Sequence, residues 1–464
     1  MLRPSRSKSQ RNVRPATPVP AAPHGEAAGE RILGFCAAFA QMVPTGKWAV
    51  LSRRRGREPR VALTALVQAL IFHTLHRFGT LGEHFALLFS DALSDSSCSD
   101  RRQRLPWQVF ADLMRCALRP LARVRRDAGC FWRQWRLVAV DGIQFSLYNT
   151  PQNNAALPKA KTRRGRAAFA KIVTSVLLEV GLHNPLAAAI GHDGRSEWKL
   201  SRSLLAQLPK QALLLADRLH GCAAFAVEAL EACERVGSHF LIRARSNIKA
   251  HTLQRFKDGS RLISVPVREK GSRKIVRRLR LREIRVQVTR PGHRPQTLRL
   301  WTSLLDPAEA PALEMAELYA RRWEHELYYR ELKRVLRKNE LLQSHTVETA
   351  AQEIAACVLA SALIARERVR AAAGEVPVLS ISFAKTLELL RPLWIVFALG
   401  EDILSEQQKQ QLMERFHTHV RDFATTPKRK RKRSCPRAVR QPVSKWPRLI
   451  NNASHQGDVS FRIK

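Results

Sequence analysis

Four residues in the last third of the chain have the types and the spacing needed to hold a metal ion beside a phosphate. Tyr319, Arg322, Glu326 and Lys333 lie at offsets of 0, 3, 7 and 14. At about 100° per helical residue these offsets fall at about 0°, −60°, −20° and −40°, so the side chains would share one narrow stripe. The carboxylate could bind a cation while Arg and Lys meet phosphate oxygens. Taken alone, mixed charges on a helix are more often a solvated face, so the stripe needs support.

Two aspartates give that support. Asp141 directly follows the apolar run Leu137–Val140, and Asp217 follows Ala212–Ala216. Both runs predict short buried strands, and carboxylates at the carboxyl ends of adjacent strands converge on one crevice. With Glu326 from a helix packed on the sheet, they would form the three-carboxylate set of a two-magnesium phosphoryl-transfer site. For Asp217, capping of the following helix is an equally good explanation.

The composition indicates a polyanion partner. The 464 residues include 80 Lys and Arg against 39 Asp and Glu, a net charge of +41 that favours DNA or RNA. An anionic membrane fits less well, because no basic amphipathic helix with an apolar anchor face is evident. The eight cysteines form no Cys-x-x-Cys pair, which argues against a zinc ribbon and fits a reducing compartment.

Targeting and nucleotide-binding patterns are missing from the sequence. The longest apolar runs, near 66–75 and 354–365, are short and interrupted, so no membrane span is expected. The N-terminal residues lack an apolar signal core. We therefore expect a cytoplasmic protein, nucleoid-associated when bound to DNA. No Walker sequence occurs, so no nucleotide cofactor is expected.

Hydrophobic periodicity predicts helices, then alternating strands and helices, then a β-rich stretch, and finally helices again. Helices are predicted over 61–76, 107–118, 198–208, 223–234, 311–337, 347–372, 384–390 and 407–417. Strands are predicted over 137–140, 172–178, 186–190, 212–216, 240–245, 262–267, 275–288 and 298–304. Between the first two helices, residues 94–100 offer turn and N-cap chemistry before a basic loop at 101–104. That loop suits DNA docking, and a plain packing domain is nearly as good an explanation.

These features resemble bacterial insertion-sequence transposases of the DDE class that carry a Tyr-Arg-Glu-Lys signature. The signature spacing is the specific match, and the two aspartate motifs are individually weak. The basic β-rich stretch resembles the insertion that this branch places before its glutamate. Further similarity lies in Leu137–Gly142, Leu213–Arg218 and Ser94–Phe110.

The resemblance implies an α/β fold with a ribonuclease-H-like catalytic core interrupted by a β-rich insertion, plus an N-terminal helical domain and C-terminal helices. The resemblance covers roughly residues 30–370, and the composition alone indicates the first and last segments. The expected segments are a flexible basic arm (1–30), a helical DNA-binding domain (31–125), the first part of the catalytic core (126–237), a β-rich insertion (238–306), the second part of the core with the Glu326 helix (307–372), a C-terminal helical dimerisation region (373–424) and a basic tail (425–464).

The resemblance also implies the reaction and its residues. The expected activity is cut-and-paste transposition, in which the protein cleaves at the transposon ends with Mg²⁺ (Mn²⁺ may substitute) and joins them to target DNA as a homodimer on paired ends. The implied metal ligands are Asp141, Asp217 and Glu326, and the implied DNA contacts are Tyr319, Arg322, Lys333, Arg218, Arg330, Trp323 and Trp301. The two tryptophans are candidates for stacking on a flipped base, although packing roles are commoner for this residue type. Two alternatives stay open: a catalytically inactive DNA-binding relative, and a nuclease that cannot join strands.

Some residues depart from the family pattern or could extend it. Many relatives have Thr or Ser where this chain has Ile143, and Gly with an aromatic residue where it has Leu219 and His220. Glu197 could be a fourth acidic residue near the site, but favourable electrostatics at a helix N-terminus are the more usual role. No second or third ligand at zinc-site spacing accompanies the histidines near the core, including His183 and His192.

Overall fold

The computed structural model describes residues 63–76, 78–89, 93–162, 165–269, 271–272, 274–289, 295–336, 341–400, 403–425 and 460–463. The predicted arm (1–30), the first third of the predicted helical domain (31–62) and nearly all of the predicted tail lie outside the described residues. The fold is mixed α/β, with a large central sheet and many helices.

The strands, in chain order, are β1 (Phe131–Trp132), β2 (Trp135–Ser146), β3 (Lys161–Thr162), β4 (Gly165–Arg166), β5 (Lys171–Glu179), β6 (Asn184–Ile190), β7 (Ala212–Ala216), β8 (His239–Arg243), β9 (His251–Arg255), β10 (Arg261–Arg268), β11 (Ile275–Thr289), β12 (Gln296–Thr302) and β13 (Ser460–Ile463).

The α-helices are α1 (Leu63–Leu75), α2 (Leu81–Leu88), α3 (Asp95–Arg104), α4 (Gln108–Ala117), α5 (Pro151–Ala156), α6 (Glu197–Leu204), α7 (Ala223–Arg235), α8 (Ala312–Ala320), α9 (Glu324–Arg330), α10 (Val347–Ala372), α11 (Phe383–Leu399) and α12 (Glu406–Ala424). Short 3₁₀ turns occupy Ala128–Cys130, Leu205–Gln207, Arg321–Trp323 and Val378–Ser380, and a π-helical turn covers Glu331–Leu336.

One sheet organises the described chain. Its strand order is β6-β5-β2-β7-β8-β12-β11-β10-β9, with β1 added to β2 and β13 added to β11. Strand β2 pairs antiparallel with β5 and parallel with β7, and β7 pairs parallel with β8. The remaining strands, from β8 through β12 to β9, pair antiparallel. The β-rich stretch therefore extends the central sheet instead of forming a separate one.

The central strands are buried on both faces, as their continuous apolar runs predict. Every residue of β7 is buried, and helices α6 and α7 cover one face of this part of the sheet together with Phe225 and Phe240. Helix α8 covers the other face through Met315 and Ala316. The strand ends are thereby held in fixed positions.

Helix α10 is the centre of the helical layer. It is long and apolar enough to cross a membrane, but 89% of its most apolar window is buried inside the protein. The sequence suggested a run too short to span, which is wrong as to length. Its neighbours α1, α4, α11 and α12 pack around it within one hydrophobic core. Burial of this kind is typical of a core helix.

A buried carboxylate joins the helical layer to the sheet. Glu179, at the end of β5, is fully buried and accepts hydrogen bonds from the backbone N–H groups of Leu121 and Ala122 at 2.9 and 3.2 Å. Its side chain also pairs with the guanidinium of Arg136 and accepts a hydrogen bond from Asn184 Nδ2 at 2.9 Å. The connection after α4 is thus fixed against β5 and β2 by one side chain.

The predicted basic loop at 101–104 is wrong. Those residues complete helix α3, which begins after Ser94, whose Oγ accepts a hydrogen bond from the N–H of Ser97 at 3.2 Å. Arg102 donates to Gln352 Oε1, Ser344 Oγ and the Thr349 carbonyl. The cap was correctly anticipated, but the run of arginines continued the helix, and Arg102 serves packing against α10.

Other differences concern where elements end. Strand β2 continues past Asp141 to Ser146, because Ile143 and Phe145 alternate with more exposed residues and pair with β5. The long helix predicted over 311–337 is divided into α8, a 3₁₀ turn, α9 and a π-helical turn. Strand β9 was not predicted, and its mostly exposed side chains explain why. Helices α11 and α12 extend beyond their predicted bounds.

We expect acid to loosen the packing of α1 on its neighbours through His76. Its ring lies 4.2 Å from that of Phe72 and 4.7 Å from that of His84, and its Nε2 is buried without a hydrogen-bond partner among the described residues. Burial, followed by nearby His84 and Arg391, lowers the pKa of His76 from 6.5 to about 4. The folded state therefore favours neutral His76, and this contribution to stability is complete above pH 6.5 and is lost as the pH falls towards 4.

The measurement is the midpoint of thermal unfolding between pH 7 and pH 4. His76→Gln should show a smaller drop than the wild-type protein. His419→Gln, which changes an exposed histidine of α12, should match the wild type. Identical pH profiles for wild type and His76→Gln would show that this histidine does not contribute.

Candidate active site

Asp141 and Asp217 are neighbours across two parallel strands. In the register of β2 and β7, Val140 lies opposite Ala216, and the residue that follows each of them is an aspartate. Neighbouring strands lie about 4.8 Å apart, which brings the carboxylates together. The two aspartates therefore meet as expected, although Asp141 lies within β2 and not after its end.

Helix α9 is fixed on strands β2 and β5. The Tyr329 hydroxyl donates to the carbonyl of Asp141 at 2.6 Å, and His325 Nε2 donates to the carbonyl of Val176 at 3.0 Å. Both rings are buried. Glu326 follows His325 in the chain and is therefore held above β2. Its side chain is 40% exposed.

Arg322 connects two of the three carboxylates. Its guanidinium donates to Asp141 Oδ2 at 3.1 Å and to Glu326 Oε1 at 2.9 Å. The contact with Glu326 is the i,i+4 pair that the predicted stripe contained. Burial alone would lower the pKa of Arg322, but its hydrogen bond to Glu326 and its acidic neighbours raise the pKa, so the cation is permanent.

The two aspartates have opposite pKa shifts. Burial and then the charge of Asp217 raise the pKa of Asp141 to about 6. Burial also acts to raise the pKa of Asp217, but a hydrogen bond from His220 Nδ1 at 2.8 Å, with the charge of that histidine, lowers it overall. Asp217 is therefore the firmly ionised member of the pair, and Asp141 is the one that neutral pH or a cation must keep ionised.

The donor set suits a hard divalent cation. Asp141, Asp217 and Glu326 offer only carboxylate oxygens, the ligands preferred by Mg²⁺ and related ions. Within the described residues, no three acidic, His or Cys side chains surround a single point. Instead the Arg322 guanidinium lies between Asp141 and Glu326 and stands in for a cation. The chemistry of the residues thus fits a metal site whose carboxylates are at present held together by an arginine.

The remaining predicted residues lie around this centre at different depths. Tyr319 is buried beside Arg322, and burial raises its pKa to about 12. Trp323 is 56% exposed, and Arg330 and Arg218 are exposed. Lys333 lies on the π-helical turn, with Nζ 5.8 Å from the ring centre of Phe145. The prediction that Tyr319, Arg322, Glu326 and Lys333 lie on one continuous helix is therefore wrong, because the backbone changes helix type between them.

The role expected for Trp301 is contradicted. Its side chain is fully buried in the core between β11 and its neighbours, and Nε1 donates to Glu283 Oε2 at 3.2 Å. An indole in this position has no surface on which a base could stack. Its place near the end of β12, where that strand is paired on one side with Glu283 of β11 and on the other with Ile242 of β8, explains the burial.

Two further residues named in the sequence analysis lie at the site: Glu197, weighed there as a fourth acidic residue, and His220. Glu197 lies beside Asp141, and His220 holds Asp217. A pocket of about 460 Å³ also opens next to Asp217. It is lined by Asp217, Arg218, Leu219, Arg245, Ser246 and Asn247. The loop after β8 contains no recognisable sequence motif. Only its position directly after a strand could have marked it as part of the site.

Comparison with known proteins agrees with this geometry. A family model described as the transposase DDE domain matches residues 132–363, half of the chain. The transposase InsG of insertion sequence element IS4 from Escherichia coli (strain K12) is 28% identical over 251 residues, covering 52% of this chain. The chain spans about half the length of that curated relative, 54%.

A cryo-EM structure of a piggyBac transposase synaptic complex with hairpin DNA aligns at a TM-score of 0.41 and 11% identity, covering 85% of this chain and 84% of the other. A score this low does not establish a common fold. The family match contains both aspartates and Glu326, and family members of this kind use divalent metal ions. The chain belongs to the transposase DDE domain family.

Proposed function

We propose that the protein is a DNA transposase that cleaves DNA at the ends of an insertion sequence and joins those ends to target DNA. The observation that carries the proposal is the guanidinium of Arg322 bridging Asp141 and Glu326, with Asp217 directly after the strand that neighbours β2. The net charge of +41 supports a DNA substrate, because a polyanion is attracted by such an excess.

The proposed core is ribonuclease-H-like. Its support is the strand order, with the antiparallel set β6-β5-β2 followed by the parallel strands β7 and β8. The predicted segments for DNA binding (31–125), insertion (238–306) and dimerisation (373–424) are kept as parts of the proposal. Strand β8 pairs with β7, which supports placing the insertion boundary after residue 243 instead of at 238.

Asp141, Asp217 and Glu326 would hold Mg²⁺, for which Mn²⁺ could substitute. Such ions supply a Lewis acid for the scissile phosphate and an activated hydroxyl nucleophile. Asp217 offers a stable negative charge because His220 keeps it ionised, and Tyr329 fixes the backbone of Asp141. Arg322 would turn from the carboxylates towards the phosphate oxygens of DNA, and its positive charge would stabilise the negative charge of the phosphate.

The surroundings of the site are suited to the DNA strand. Trp323, being exposed, could stack on an unpaired base, and Arg218, Arg330 and Lys333 could contact phosphates. Tyr319 is buried beside Arg322, so its proposed contact with a phosphate requires a movement that exposes its hydroxyl. The pocket beside Asp217 adds Arg245, whose guanidinium donates to the carbonyls of Arg218 and Leu219. Arg245 therefore fixes the loop after Asp217, which contains the exposed Arg218. We expect a homodimer on paired ends, acting in the cytoplasm on nucleoid DNA.

The test is an assay with the full chain and linear DNA that carries the inverted repeats flanking its gene. We expect a nick at the repeat boundary only when Mg²⁺ or Mn²⁺ is present, followed by joining of pre-cut ends to a plasmid. Binding without cleavage would favour an inactive DNA-binding relative. Cleavage without any joined product would favour a nuclease. Joining of pre-cut ends is incompatible with either alternative.

A further inference from the structure

Glu197 begins helix α6, which packs on the strands that carry the aspartates. Ser201 of this helix and Ser175 of β5 share a hydrogen bond of 2.8 Å between their hydroxyls, and Ser175 donates to the carbonyl of Asp141 at 3.1 Å. Both serine side chains are buried. The first turn of α6 is therefore held at a fixed height beside Asp141.

A glycine makes room for the Glu197 side chain. A Cβ atom placed on Gly142 would lie 2.1 Å from Cδ and 2.5 Å from Oε2 of Glu197. Any other residue at 142 would force the carboxylate away. The Asp141–Gly142 pair thus combines one carboxylate with the space that a second carboxylate fills.

The charges around Glu197 are unbalanced. No Lys, Arg or His forms an ion pair with it in the part of the chain that the structure describes, and Arg322 already serves Asp141 and Glu326. The Glu197 carboxylate occupies the space beside Gly142, next to the acidic Asp141. Like charges in a half-buried site repel, so an additional cation would stabilise the group.

His220 is a second buried polar group beside the aspartates. Its side chain is fully buried, and Nδ1 is used by Asp217. Its Nε2 is buried and has no hydrogen-bond partner among the described residues. The contact between Nδ1 and Asp217 places the ring against one of the carboxylates of the proposed site. A buried polar nitrogen is ordinarily satisfied, which points to a ligand or its water in this space.

We propose that Glu197 is a fourth carboxylate of the divalent-cation site, admitted beside Asp141 by the missing side chain at Gly142. This inference rests on the proposed function, because it assigns a further residue to the same cation site. Glu197 would add negative charge on the side of Asp141 opposite to Glu326's helix, and would complete the surroundings of the cation with oxygen.

The test measures Mn²⁺ binding by isothermal titration calorimetry on the full chain without DNA. We expect Glu197→Gln to weaken Mn²⁺ binding about tenfold or more. In EDTA the same variant should unfold at the wild-type temperature or higher, because one repelling charge has been removed. A merely structural Glu197 would give the opposite result, with a lower unfolding temperature and unchanged affinity for Mn²⁺.

The glycine allows a double-mutant test. Gly142→Ala should weaken Mn²⁺ binding to the same degree as Glu197→Gln, and the two changes together should cost no more than either alone. Asp193→Asn is the matched control, because it removes an acidic group paired with Arg195 on the turn before α6. It should bind Mn²⁺ as the wild type does.

The outcomes separate the two proposals. Weaker Mn²⁺ binding by Asp141→Asn together with wild-type binding by Glu197→Gln would overturn this inference and leave the proposed function standing. Wild-type Mn²⁺ binding by Asp141→Asn and Asp217→Asn would overturn the cation site as a whole. Additive losses for Gly142→Ala and Glu197→Gln would also contradict the inference, because the two changes would then act separately.

Discussion

Replacing Asp141 by Asn will reduce cation-dependent cleavage of terminal-repeat DNA by at least about 100-fold while leaving DNA binding intact. The reason is that the amide loses the negative charge needed to hold a cation but keeps an oxygen. That oxygen can still accept hydrogen bonds from Gly142 N–H or from Arg322, so the fold is preserved. The measurement is the rate of nicking in Mg²⁺ together with the affinity for the same DNA.

Two further variants and one control complete this experiment. Asp217→Asn and Glu326→Gln should show losses of the same order, because all three carboxylates are expected to share the cations. Asp193→Asn changes the net charge equally and should cleave at the wild-type rate. Cleavage by Asp141→Asn within about threefold of the wild type would rule out its role as a metal ligand.

Replacing Glu179 by Leu should lower the free energy of unfolding by about 3–5 kcal/mol. The substitution leaves the guanidinium of Arg136 and the N–H groups of Leu121 and Ala122 without their buried acceptor. Such orphaned donors lose their hydrogen bonds in the folded state only. Urea unfolding of the full chain in EDTA, followed by circular dichroism, gives the free-energy difference.

The double variant Glu179→Leu with Arg136→Met distinguishes a broken ion pair from lost packing. It removes both charges, so it should be more stable than Glu179→Leu alone, although the backbone N–H groups still lack an acceptor. Equal stability of the single and double variants would show that the charge on Arg136 is not what makes the loss large. A single-variant loss below about 1 kcal/mol would contradict the burial argument.

The sequence predicted the central elements well because they are governed by local patterns. Strand β7 is a continuous apolar run, and Val347–Ala372 coincides with helix α10. The strand ends placed Asp217 correctly. The extent of β2 was missed because its second half carries alternating, and not continuous, apolar residues, and its pairing with β5 is a long-range property.

The candidate site was only partly predictable. Spacing identified Arg322 and Glu326, whose i,i+4 contact is local. The burial of Trp301 depends on its register with β11, where Glu283 accepts its Nε1–H, and no local pattern reports that. The position of Glu197 depends equally on non-local packing. Its closeness to Asp141 follows from the way α6 packs across β5 and from the empty space at Gly142.

The continuous sheet between β7 and β11 holds Asp217 at a fixed distance from the arginines of β11. The order β7-β8-β12-β11 contains three steps, and at about 4.8 Å per step the two strands lie roughly 14 Å apart. Arg278 and Arg280 are exposed on β11, and Asp217 follows β7. Asp217 is level with Ile284, and Arg280 lies about 13 Å further along β11, so the separation is roughly 20 Å, or about six base pairs at about 3.4 Å each. If these arginines bind the DNA end, the distance from that end to the cleavage site is set by hydrogen-bonded strands, which extend far less than a flexible linker would.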